Sequence, residues 1–78
     1  MSEPSQIIGQ IVREYREKRQ LSQESLSALS GLSRPFIGEI ERGESNLSFI
    51  SLLAVARGLG TSASELLREY EQRAAHDR

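Results

Sequence analysis

The sequence predicts an all-α fold, a compact bundle of five short helices, and three observations predict it. First, an apolar residue followed by Ser recurs, with a second apolar residue five positions after the first. Leu21-Ser22 with Leu26, Leu32-Ser33 with Ile37, and Leu47-Ser48 with Leu52 all have this form. Such a Ser accepts a hydrogen bond from an unsatisfied helix N–H, and the apolar pair closes over it as a hydrophobic staple. Second, Gly31, Gly43 and Gly60 each follow an apolar-periodic stretch, and glycine is favoured just past a helix end. Third, no stretch alternates apolar and polar residues with period two, so no strand is assigned.

The elements follow in order. Ile7, Ile8, Ile11, Val12 and Tyr15 recur at helical spacing and place a first helix at about 5–19. The three Ser starts and Gly stops place helices at about 23–30, 34–42 and 49–58. Ser62 with Glu65 reads as a capping box and opens a fifth at about 63–75. Helices this short are marginal alone and must be held by packing. The expected core is Ile8, Ile11, Val12, Tyr15, Leu21, Leu26, Leu29, Leu32, Ile37, Ile40, Leu52, Leu53, Ala56, Leu59 and Leu66. The polar end, Ala74–Arg78, is expected to fray, leaving an ordered core of about 5–73 within a single domain spanning 1–78.

Composition excludes several classes. The 78 residues suffice for one domain. A chain of this length buries only about 60% of its unfolded surface, and oligomerisation is the obvious way to strengthen it. Cysteine is absent, so neither a disulfide nor a thiolate metal site is available. No apolar run nears the ~20 residues that span a bilayer. Met1–Gln10 lacks the regions of a signal peptide, so a cytoplasmic location is expected. The single histidine, His76, lies in the polar tail. No metal-spaced cluster or Gly-rich phosphate loop accompanies it, so catalysis, metals and cofactors are not expected.

The net charge of −1 is a poor start for binding nucleic acid. The charge is uneven, however: Arg13, Arg16, Lys18 and Arg19 crowd one stretch against Glu14 and Glu17. That stretch is either a local basic edge or a solvated face laced with i, i+4 ion pairs.

Ser22–Gly43 holds two short helices joined by the tight turn Gly31-Leu32-Ser33. Glycine supplies the bend, Leu32 can plug the core, and Ser33 caps the next helix. This is the layout of a helix-turn-helix, whose second helix enters the major groove. The same layout also occurs in proteins that bind no DNA.

The residues sharpen the reading. Leu21-Ser22-Gln23-Glu24-Ser25-Leu26 through Phe36-Ile37-Gly38-Glu39-Ile40-Glu41-Arg42-Gly43 resembles the phage repressor and Cro family, the Xre-like regulators. Ser27 stands where that family often has Ala. The likeness continues through Leu53–Gly60 and Ser64-Glu65-Leu66-Leu67, covering about residues 8–67. The small size and Glu41-Arg42-Gly43 followed by Asn46 also resemble the controller proteins of restriction–modification systems. Glu44 and Ser45 depart from the basic residues often found there. The resemblance implies a lambda repressor-like DNA-binding domain that regulates transcription from double-stranded DNA.

On that resemblance, Gln23 contacts a phosphate from the first turn of the second helix; an exposed residue without a role is the other reading. Ser33 and Arg42 flank the recognition helix and join the expected interface. Arg34 opens that helix, where it can bond guanine bidentately or hold a phosphate. Pro35 offers a thymine methyl an apolar contact or simply stiffens the helix start. Phe36 packs on sugar–phosphate or on the core. Gly38 either lets the backbone approach DNA or relieves crowding by another helix. Glu39 accepts from cytosine N4 or pairs with a basic neighbour. Ser45 and Asn46 contact phosphate or serve the local turn. Glu41 and Arg16 match a structural ion pair of the family that ties the recognition helix to the first helix.

A single recognition helix reads few base pairs, so a two-fold pair is expected to read two half-sites. Phe49, Ile50, Leu66, Leu67 and Tyr70 exceed what the core needs and are the expected isologous homodimer interface. No small-molecule ligand is expected. The acidic balance, Glu39 and Glu44 leave a second class open, a protein-binding adaptor of the same fold.

Overall fold

The computed structural model describes residues 3–76 as five helices. These are α1 (Glu3–Lys18), α2 (Gln23–Ser30), α3 (Arg34–Glu41), α4 (Phe49–Gly58) and α5 (Ala63–His76). There is no strand among the described residues.

The helix starts are set by serine hydroxyls. Ser22 Oγ accepts from the Ser25 N–H at 2.9 Å, Ser33 Oγ from Phe36 at 3.2 Å, Ser48 Oγ from Ser51 at 3.1 Å, and Ser62 Oγ from Glu65 at 3.1 Å. Each satisfies one N–H that the helix leaves without a partner. Gly31 ends α2 with φ +77°, and its N–H returns to the Ser27 carbonyl at 2.9 Å. Gln20 takes a left-handed backbone after α1, at φ +57°. No sequence signal marked it, since a non-glycine residue there is uncommon.

The helices close around Ile7, Ile11, Val12, Leu26, Ile37, Ile40, Leu52, Val55, Ala56, Leu59 and Leu66. α1 packs against α3 and α5, and α2 packs against α3 and α4. Two arginines tie helices together at the surface. Arg73 of α5 bonds Glu14 of α1 at 2.6 Å and Glu69 at 3.1 Å. That bond holds the Glu14 carboxyl below its ordinary range. Arg57 Nη2 donates to the Ser30 carbonyl at 3.2 Å, satisfying an acceptor at the end of α2.

The core differs from the sequence expectation in a few places. Leu29 and Leu53 are exposed, at 54% and 43%, while Ile7 and Val55 are buried. α4 is apolar around most of its circumference, so periodicity alone does not fix which side faces in. The packing of α2 on α4 turns Leu26 and Ser30 toward Gly58 and leaves Leu29 outside: a Cβ on Gly58 would stand 2.8 Å from Leu26 Cδ1. Ile8, Tyr15, Leu21 and Leu32 are half-buried at the margin. α5 runs beyond Arg73 to His76, with Ala74 against the core, so the expected fraying is not seen there. The last two positions of the expected frayed end lie outside the described residues.

Candidate nucleic-acid interface

α3 has two faces with separate tasks. Ile37 and Ile40 are buried beneath it, and Phe36 packs half-buried against the same core. Phe36 is therefore in contact with the core while part of its ring stays exposed. Ser33 spends its hydroxyl on the cap, accepting the Phe36 N–H. Arg34, Pro35 and Arg42 are exposed on the opposite side.

Gly38 lies between the two arginines. A Cβ there would stand 3.0 Å from Arg42 Nη1 and 3.6 Å from Arg34 Nη1. The glycine is covered by two guanidinium tips and not by another helix, which overturns the crowding alternative. Like charges converge here because the missing side chain leaves room, and because Glu44 Oε2 meets Arg42 Nε at 3.0 Å. That hydrogen bond raises the Arg42 pKa and lowers that of Glu44. Both side chains remain about half-exposed, so a competing anion can reach Arg42.

Glu39 is held differently. Ser45 Oγ donates to Glu39 Oε1 at 3.0 Å, and no ion pair with a basic neighbour forms among the described residues. Asn46 is exposed in the same loop, and its Oδ1 accepts from Ser5 Oγ at 3.2 Å. Ser45 and Asn46 thus both have partners within the protein.

The rear of α3 is anchored to α1. Arg16 Nε donates to Glu41 Oε2 at 2.7 Å and Arg16 Nη2 to Glu41 Oε1 at 3.0 Å. Arg16 Nη1 also donates to the Leu21 carbonyl at 2.8 Å. The Glu41 side chain is 4% exposed. The hydrogen bonds to Glu41 raise the pKa of the Arg16 guanidinium above its ordinary value. Gln23 Nε2 donates to Glu41 Oε1 at 2.9 Å. Gln23 is therefore fastened to this pair and is not an idle surface amide.

Gly9 completes the anchor, and sequence reasoning missed it. A Cβ on Gly9 would fall on the Ile40 carbonyl oxygen, with Glu41 O 3.0 Å away. Its signal was a glycine inside a helix, which is costly and marks close backbone approach. Glu44, as the partner of Arg42, was also missed.

The expected self-association residues separate. Leu66 is fully buried in the core, so it cannot reach a second copy. Phe49 and Ile50 are exposed at 70% and 72%, and Leu67 at 45%. Tyr70 is half-buried. Leu67 and Tyr70 border a groove of about 450 Å³ that is also lined by Pro4, Ile8, Leu47 and Leu52.

The helix-turn-helix family model matches residues 12–66, which takes in the whole α2–turn–α3 unit. The chain belongs to the helix-turn-helix family of Xre-like transcriptional regulators. The regulator is 44% identical over 62 residues to control protein C.SmaI of Serratia marcescens, covering 80% of this chain and 74% of that protein. It is 37% identical over 62 residues to the immunity repressor of Bacillus phage phi105, covering 80% of this chain and 43% of the repressor. Among solved structures, it matches the restriction–modification controller protein C.AhdI from Aeromonas hydrophila with a TM-score of 0.77 and 42% identity. That match covers 80% of the regulator and 94% of C.AhdI. These relatives are controller proteins and a repressor, which are regulators and not enzymes.

Proposed function

We propose that the regulator binds a palindromic duplex operator as a homodimer, with the outward face of α3 in the major groove of each half-site. The observation that carries this reading is the convergence of the exposed Arg34 and Arg42 over Gly38. Guanidinium groups there meet guanine bidentately or neutralise phosphate, and the glycine lets the helix backbone come close. Gln23, Ser33 and Asn46 contribute backbone-phosphate contacts, and Ser45 does so only through its backbone N–H, since its hydroxyl is held by Glu39. Pro35 fixes the helix start beside them. The site of action is the cytoplasm; no helix among the described residues is long and apolar enough to cross a membrane.

Selection from random duplexes with the purified chain tests the reading. The expected product is a palindrome with half-site centres about 10–10.5 base pairs apart or a multiple of that. Affinity should fall steeply with salt, each neutralised phosphate adding about −0.9 to the log–log slope. A protein-binding adaptor would show no duplex affinity even at low salt.

Gly38→Ala separates binding from stability. The added Cβ meets only the mobile tips of Arg34 and Arg42, and alanine favours a helix interior by about 1 kcal/mol over glycine. The melting temperature is therefore expected to hold or rise by several degrees, while duplex affinity falls.

For the pair of subunits, the reading places Phe49, Ile50 and Leu67 at the two-fold contact. Phe49→Glu replaces an exposed ring by a charge with little to disturb inside the protomer. It should weaken the dimer more than tenfold in sedimentation equilibrium and leave the helical circular-dichroism spectrum unchanged.

A further inference from the structure

We infer that Glu39 selects cytosine at one position of each half-site, and that Ser45 positions its carboxylate for this. The inference rests on the reading of α3 as the groove-entering helix. α3 carries two carboxylates, and Glu41 is consumed by Arg16 and Gln23. Glu39 is not neutralised in this way. Ser45 Oγ takes its Oε1 at 3.0 Å, and Oε2 has no hydrogen bond among the described residues. Arg42, one turn along, attracts Glu39 electrostatically but directs its Nε to Glu44, so the Glu39 carboxylate forms no ion pair with it.

A fixed carboxylate in a groove is a strong discriminator. It repels phosphate, and it repels the base acceptors that line the major groove: guanine N7 and O6, thymine O4 and adenine N7. Cytosine presents only the N4 amino group there, a donor. Ser45 limits the freedom of Glu39 to swing aside, so wrong bases meet the full repulsion. The residue therefore lowers affinity for most sequences more than it raises affinity for the right one.

The test uses the full chain with Glu39→Gln, Ser45→Ala and Ser45→Thr, each checked by thermal melting. Selection from random duplexes is followed by binding to operators with each of the four bases at the assigned position. Wild type should show cytosine at one position per half-site. In Glu39→Gln, discrimination there should fall on the order of 10–100-fold. Its affinity for unselected duplex should rise, and preferences at other positions should stay. Ser45→Ala should lose part of that discrimination at that position alone, with its melting temperature unchanged, and Ser45→Thr, which keeps the hydroxyl, should restore it; a merely structural serine would alter stability or all positions together. Base preferences in Glu39→Gln identical to wild type would overturn the inference. So would a uniform loss of affinity without a change of preference. Wild type that binds no duplex at low salt would overturn the underlying DNA reading, and this inference with it.

Discussion

Alanine at position 9 is expected to lower the melting temperature by on the order of 10–20 °C, a loss of at least about 2–3 kcal/mol. The usual gain from replacing a helical glycine by alanine, about 1 kcal/mol, works in the opposite direction and is overwhelmed. The reason is what stands opposite. The added methyl meets the Ile40 and Glu41 carbonyls, which are backbone atoms near the end of α3. Backbone cannot rotate away as a side-chain tip can, so α1 and α3 must separate. Circular-dichroism melts of Gly9→Ala beside Gly38→Ala give a direct contrast. The same substitution should destabilise at one site and not at the other. Equal melting temperatures for Gly9→Ala and wild type would show that the helices are not in backbone contact.

The second large effect is expected at Glu41. Removing one partner of a buried ion pair leaves the other charge uncompensated, at a cost of about 3–5 kcal/mol. Arg16 is that partner, its side chain only 13% exposed, and Gln23 loses an acceptor as well. A domain of this length has a total stability of roughly 4–12 kcal/mol. Glu41→Ala should therefore populate unfolded chains at room temperature or bring the urea midpoint close to zero. Glu41→Leu combined with Arg16→Met, which removes both charges, should recover much of the loss. A urea midpoint for Glu41→Ala within experimental error of wild type would show that the pair contributes nothing to holding α3.

The helix framework was legible because its signals are local. Each serine cap depends on a hydroxyl and an N–H three residues apart, and no distant part of the chain has to be known. The Arg16–Glu41 contact was not local, and it came from family resemblance; its two residues stand on helices that meet only in the folded chain. Gly9 is the converse case. Its composition signal was present, but the atoms that require it, on Ile40 and Glu41, belong to a helix far along the sequence. Leu29 and Leu53 went wrong because an apolar helix offers several possible inner faces, and the neighbour chooses. Leu66 was given two roles for the same reason: hydrophobicity states that a residue avoids water, not which surface it avoids water with. The Ser45–Glu39 and Glu44–Arg42 contacts depend on how one short loop folds back, which residue types alone do not specify.

The division of α3 into an anchored side and an outward side has an evolutionary consequence. Ile37, Ile40 and Glu41 carry the attachment to the rest of the molecule, whereas Arg34, Pro35, Glu39 and Arg42 carry almost none of it. If the outward face reads DNA as proposed, mutational drift at the second set explores new target sequences while thermal stability is preserved. A lineage built on this scaffold is thus free to diverge in what it recognises without first acquiring compensating changes in its interior.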